Sequence, residues 1–533
     1  MNRPKFYIYL PIVFSIVLIL GIYIGSTFNV DKNNGLGSSA SNKKYGKLEE
    51  ILQYINQEYV DTINDKKLLE NTIETMLQQL DPHSNYISAE ELAASNEPLQ
   101  GNFEGIGIEF NIVNDTIRVI AAIPGGPSER VGIHAGDKII KVEGKNVAGV
   151  KITNKNIMSI LKGKKGTKVK VSVMRNSNFS SLDFTITRGT IPIYSVDVAY
   201  MVTPKIGYIK ISRFAATTYD EYMKSFEKLQ QKGMTQLIVD LRGNGGGYLN
   251  TAVDMADEFL GDGKEIVYTE GKSRPRKDYK ATDKGNFENG KLIVLIDDGS
   301  ASASEILSGA LQDNDRAIIV GRRSFGKGLV QEQSVFEDGS AMRLTIARYY
   351  TPTGRCIQKS YANGSEEYFD EDSKRFANGE LESADSIKVA DLQKFKTPAG
   401  KIVYGGGGIT PDVFVALDTT GRSFYLSELL YNGIINDFAF DYADSERAKL
   451  IAYKTVGNFN TNFFVSDALF DELVAYAEKN KVHKNEKEIK LSKRILKNQL
   501  KALIARNIWN SEGFYPVIQS EDNVLKKAIE LMK

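Results

Sequence analysis

Residues 291–327 read KLIVLIDDGSASASEILSGALQDNDRAIIVGRRSFGK. Two continuous apolar runs, KLIVLID and RAIIVG, enclose a stretch of helical character, the pattern of buried strands joined across a helix. The same alternation extends upstream through KIGYIKI, a helix carrying Tyr222, Phe226 and Leu229, the strand QLIVDL and a further helix. Strands this apolar need cover on both faces, so the region from about 191 to 415 is expected to form a parallel or mixed sheet under helices, with its chemistry at the strand ends.

The last eight residues around that stretch, GRRSFGKG at 321–328, come close to a phosphate-binding loop. Such a loop needs Ser or Thr after its lysine to ligate magnesium, and a helix amino terminus directly behind it. Here Gly328 follows Lys327, and LVQEQSVF lacks a helical apolar stripe. A nucleotide-dependent enzyme is therefore disfavoured, and the lysine needs another role.

Composition narrows the classes. A chain of 533 residues suggests about three domains. Its 68 basic and 67 acidic residues leave no bulk field favouring nucleic acid. One cysteine, Cys356, excludes an intrachain disulfide and lacks a nearby histidine, which makes it inert. The three histidines, His83, His134 and His483, have no metal-ligand spacing, so no metal or other cofactor is expected. Tyr7 to Phe28 runs 22 residues without a charge behind Arg3 and Lys5. That length suits a membrane anchor with its basic end cytoplasmic, a cleaved signal being the alternative, and 29–44 reads as a flexible tether.

Beyond the tether, helical stripes at Leu48, Ile51, Leu52 and Ile55, then Leu69, Ile73, Met76 and Leu80, give a helical region over 45–98. From about 99 to 190 the period falls to two, in GIGIEF and TKVKVSV, with turns in IPGGPSERVG and one helical patch, NKNIMSILKG. This is a small, mostly β module. Residues 416–533 turn helical again, with stripes at Leu496, Leu500 and Leu503, and at Leu525, Ala528, Ile529 and Met532.

At the junction DDGSASASEI a strand ends and a helix begins, where small residues let a hydroxyl stand near helix N–H groups that favour negative charge. Ser and Asp are also ordinary helix caps there. A lysine 25 residues after Ser302, across one helix and one strand, changes the balance, because a β-α-β unit sets the two strand ends side by side. A seryl hydroxyl needs a base, and this chain has little histidine to supply one. A lysine serves if burial makes its neutral amine accessible.

SASASEI, GALQDNDRAIIVG and FGKGLVQ together resemble the active-site region of the carboxy-terminal processing peptidases, tail-specific serine proteases of family S41. The resemblance puts the nucleophile on Ser302, the general base on Lys327 and a conserved glutamine on Gln331; Ser300, Ser304 and Ser324 are weaker candidates. DLRGNGGGYLN is similar to the family's glycine segment, implying oxyanion donors at Gly246 and Gly247, with the Ala303 N–H as a second donor. Glycines there also suit a plain turn, while a dinucleotide loop fails at Tyr248.

The β module resembles a PDZ domain. Gly105, Ile106, Gly107 and Ile108 fall on its carboxylate-capturing loop, the next strand accepts an extended peptide, and Ile157 and Leu161 are expected to line the groove from the helix. LDPHSNYIS, with His83, resembles a structural turn. The fold implied is a crotonase-like α/β protease core with an inserted mostly β PDZ domain and helical flanks. The function implied is a membrane-tethered, envelope-facing endopeptidase, its catalytic part outside the cytoplasm, with no nucleic-acid partner. Expected partners are proteins with accessible carboxy-terminal tails, the membrane, and further copies or an activating adaptor. An inactive tail-binding scaffold is the alternative, opposed by the intact Ser302, Lys327 and Gln331.

Overall fold

In the computed structural model the described residues are 14–21, 42–175, 181–387 and 393–533. They fall into two compact units, divided after Thr75. In the first, residues 14–21 are helical and Asn42–Glu58 forms a longer helix. No described helix is long and apolar enough to cross a membrane; most of Tyr7–Phe28 lies outside the described residues.

The second unit is built on the sheet expected from the apolar runs. Its strands, in spatial order, are Val196–Met201, Ile206–Ile211, Gln236–Asp240, Lys291–Ile296, Ile318–Gly321 and Val413–Phe414. The first pair is antiparallel and the rest are parallel. Val239, Val294 and Ile319 face one side with the helices Thr218–Gln231, Leu249–Asp257 and Ala303–Asp313, through Phe226, Met255 and Leu307. Ile238, Ile293 and Leu295 face the other, covered by the last helix, Asn523–Met532, through Val524, Leu525, Ala528 and Met532. Burial of both faces is why the central strands are apolar at successive positions, as in 237–239 and 292–296.

A second, antiparallel sheet pairs Leu329–Val335 and Asn85–Ile87 with Ala341–Tyr350, which continues to Glu265–Gly271 and Arg274–Lys280. The β module is inserted through a two-stranded ribbon, Asn102–Gly105 against Gly189–Pro192. Its sheet runs Ile108–Val113, Thr116–Ala122, Lys138–Val142, Lys168–Met174, Ser181–Thr187, and encloses its own core around Ile117, Val119, Val171 and Ile157. Residues 424–518 form a helical bundle with a separate core that includes Leu429, Phe459, Leu473 and Leu500.

Candidate active site

Strand Lys291–Ile296 ends at Asp297, and the chain turns through Ser300 into the helix beginning at Ala303. Ser302 stands at the turn with φ 56° and ψ −113°, a conformation costly for any side chain. The four seryl candidates separate by environment. Ser300 gives its hydroxyl to Leu241 O, Ser304 to Asn244 O and Ser324 to Glu305, and all three are fully buried. The Ser302 hydroxyl proton is committed to no acceptor among the described residues, and the side chain lines a cavity of about 600 Å³ with Lys327, Gln331, Gly246, Gly247 and Arg343.

Lys327 sits in the coil before strand Leu329–Val335, and its Nζ donates to Gln331 Oε1 at 3.0 Å. The pairing with strand Ala341–Tyr350 shifts register between Val330 and Gln331, next to this contact. Gln331 Nε2 in turn donates to His83 O. Burial pushes the Lys327 amine below its ordinary range and Arg343 adds to this, while Asp81 and Glu305 oppose it. No hydrogen bond joins the Ser302 hydroxyl to the Lys327 amine.

Two buried residues that the sequence reading passed over fix the main chain on both sides. Glu305 Oε2 accepts the N–H groups of Ser302 (2.8 Å) and Lys327 (2.9 Å), and its Oε1 accepts those of Gly326 and the Ser324 hydroxyl. Burial lifts the Glu305 carboxyl to about 7, against the pull of these four donors. Tyr349 Oη lies 2.5 Å from Lys327 O and 3.1 Å from Ser302 O, sharing one proton between them. The signal for Glu305 was present as S-x-x-E, the spacing of a capping box. Nothing local marks Tyr349, which arrives from another strand. The amides of Gly326 and Lys327, which a phosphate loop would offer to a nucleotide, thus already face a carboxylate.

The segment after strand Gln236–Asp240 wraps the same cavity. Burial raises the Asp240 carboxyl, but Arg242 and Lys210 outweigh it and hold the group well below the usual carboxylate range. Arg242 bridges Asp240 to Asp522, which caps the last helix. Gly246 donates its N–H to Asn244 Oδ1 at 2.9 Å, so it is not the free donor expected of it. Its role is spacing: a Cβ there would lie 2.8 Å from both Ala301 O and Ser302 Cβ. The Gly247 and Ala303 amides donate to nothing among the described residues.

His83 belongs to a turn closed by Asp81, whose carboxylate accepts from His83 N, Ser84 N and Thr345 Oγ1. Its imidazole meets Tyr368 Oη at 2.8 Å, and burial with the Lys327 charge lowers it to about 4. Burial raises the Cys356 thiol.

In the β module, Ile106 O accepts from Ser128 N and Oγ, and Gly107 takes φ 74°. The Ile106 and Gly107 amides donate to nothing among the described residues. Ile157 and Leu161 are not groove residues: at 0% and 4% exposure they belong to the module's core. Helical spacing found the apolar stripe, but that stripe faces inward, and Asn154 and Met158 of the same helix line an adjacent cavity instead.

Residues 205–364 match the peptidase family S41, 105–186 the PDZ domain, 25–91 the activating protease CtpB N-terminal domain, and 425–510 a family of unknown function. The carboxy-terminal processing protease CtpA of Bacillus subtilis is 35% identical over 65% of this chain and 75% of its own. The carboxy-terminal-processing protease of Bartonella bacilliformis is 36% identical over 64% and 80%. The chain belongs to peptidase family S41. It is a serine peptidase with a carboxy-terminal processing protease's core and PDZ domain.

Proposed function

We propose that this S41 peptidase cleaves proteins near their carboxy termini with a Ser302–Lys327 dyad. The observation that supports it best is that, of the four serines, only Ser302 combines an uncommitted hydroxyl proton with a place in the cavity that holds Lys327. The neutral Lys327 amine takes the Ser302 proton as Oγ attacks the scissile carbonyl, and returns it to the leaving amine. Water then releases the acyl group by the same base. Gln331 orients the amine from its side-chain oxygen. The oxyanion is stabilised by the Gly247 and Ala303 amides, the second of which opens a helix. The dyad's hydrogen bond, not formed in the arrangement described, closes when substrate binds, as in many apo active sites.

The free amides of Ile106 and Gly107 suit a terminal carboxylate, whose charge strengthens each hydrogen bond. Ser302→Ala and Lys327→Arg each lower hydrolysis of a denatured protein substrate by at least about a thousandfold, the second because a guanidinium stays protonated. Activity near that of the parent protein in either variant overturns the dyad. Tyr7–Phe28 serves as the anchor that holds the catalytic part outside the cytoplasm. Fractionation tests this: the full-length chain is expected with membranes, and its recovery in the cytosol overturns the placement.

A further inference from the structure

The bundle over 424–518, most of which matches a family of unknown function, packs against the PDZ domain on the side of its groove. Arg118 Nη2 meets Asp441 Oδ1 at 2.5 Å, with its guanidinium 4.2 Å from the Phe440 ring centre. Arg506 Nη2 lies 3.5 Å from Glu109 Oε2. Phe440 is 3% exposed, which a residue on the free surface of a bundle would not be. Among the described residues, strand Ile108–Val113 pairs on one side only, with Thr116–Ala122, so its other edge is open to an added strand.

Along that edge a cavity of about 430 Å³ is shared between the two domains. Ile108, Phe110 and Met158 form its PDZ side, and Asn436, Phe440 and Arg506 its bundle side. The volume falls within the range of binding pockets for small ligands and peptide segments. We infer that the helical bundle completes the tail-binding groove, so that an extended, uncharged segment of the substrate just before its terminal carboxylate lies between Met158 and Phe440.

The inference rests on the Gly105–Ile108 loop being the carboxylate site. From there a tail added antiparallel to Ile108–Val113 passes Phe110 and Asn111 two to four residues before its end. The cavity's chemistry selects for lack of charge. Its two charged groups, Glu109 and Arg506, are paired with each other, and the rest of its polar lining is asparagine: Asn111, Asn154, Asn436 and Asn507. Carboxamides offer both donors and acceptors, which suits the unpaired edge of an extended peptide. A lysine or aspartate placed there loses water and finds no free partner.

The experiment uses the full chain carrying Ser302→Ala, to prevent cleavage, and a fluorescent free-carboxylate decapeptide of uncharged residues, with binding read by anisotropy. Asn436→Trp and Asn507→Trp each fill the cavity from the bundle side and are expected to raise Kd at least about tenfold. A peptide with Lys or Asp three residues before its end is expected to bind the parent chain about as weakly. Gly107→Val, where a Cβ meets Ile191, tests the underlying loop. Circular dichroism establishes which variants fold, and Asn436→Phe or Asn507→Phe, which fill the same space, stands in for a tryptophan variant that does not. Unchanged affinity in the folded bundle variants, with binding lost in Gly107→Val, overturns the inference and leaves the loop reading intact. Unchanged affinity in Gly107→Val overturns the loop reading itself. Altered self-association with tail affinity untouched assigns the cavity to a second copy and also overturns the inference.

Discussion

Lys327 can accept a proton only while its amine is neutral, so if it is the base of the proposed dyad, its surroundings set the pH at which the peptidase works. Burial lowers its affinity for a proton, and the Arg343 charge does the same, whereas the carboxylate of Asp81 holds the proton on. On the proposed dyad, the amine below its folded-state value is an ammonium and cannot act, and above it the base is available. Asp81→Asn removes a negative charge from beside the amine and keeps one acceptor oxygen for the turn at His83. The rising limb of kcat/KM against pH is therefore expected to move to lower pH in this variant. A limb that stays in place or moves to higher pH shows that Asp81 does not act on the base. In the sequence Asp81 reads as the head of a turn, LDPHSNYIS, and its effect on a lysine some 250 residues away is invisible there, because the fold alone brings them together.

At the scale of elements, most of what positions the site was legible. Continuous apolar strands gave the covered sheet, the family resemblance singled out Ser302 among the serines of the strand-to-helix junction, and the β-α-β spacing agrees with Lys327 lining the same cavity. The division of labour between adjacent glycines was not legible. Gly246 and Gly247 are identical in sequence, yet one amide is held by Asn244 and the other donates to nothing among the described residues. Gly247 takes φ 149°, and a Cβ on it would lie 2.1 Å from Phe214 O, so the close bridge between these residues admits no side chain. Only backbone geometry separates a donor from a spacer. The same limit applies to helix Asn154–Leu161. Its period identified an apolar face, but period cannot say whether that face meets a core or a ligand. Ile157 and Leu161 met the core, and the cavity proposed as the groove was left to the less apolar Asn154 and Met158.

Across the whole molecule, the end of the chain returns to its centre. The helical stripe at Leu525, Ala528 and Met532 was readable, but its destination was not, since the intervening bundle has a core of its own. The last helix covers the face of the protease sheet opposite the Ser302 helix. Asp522, at its amino terminus, reaches Arg242, which in turn grips Asp240 at the start of the glycine segment that lines the Ser302 cavity. Stability of the catalytic core is thus coupled to residues that lie outside the matched peptidase segment. Leu525 is 3% exposed and packs on that sheet face, so Leu525→Ala leaves a cavity and is expected to cost about 2–4 kcal/mol. Differential scanning calorimetry distinguishes the two ways this could register. If the helix is part of the core, the loss lowers the melting temperature of the transition that also abolishes peptidase activity. If it is an independent appendage, that transition stays where it was and only a minor, earlier one shifts, which would sever the link between the carboxy-terminal helix and the catalytic sheet.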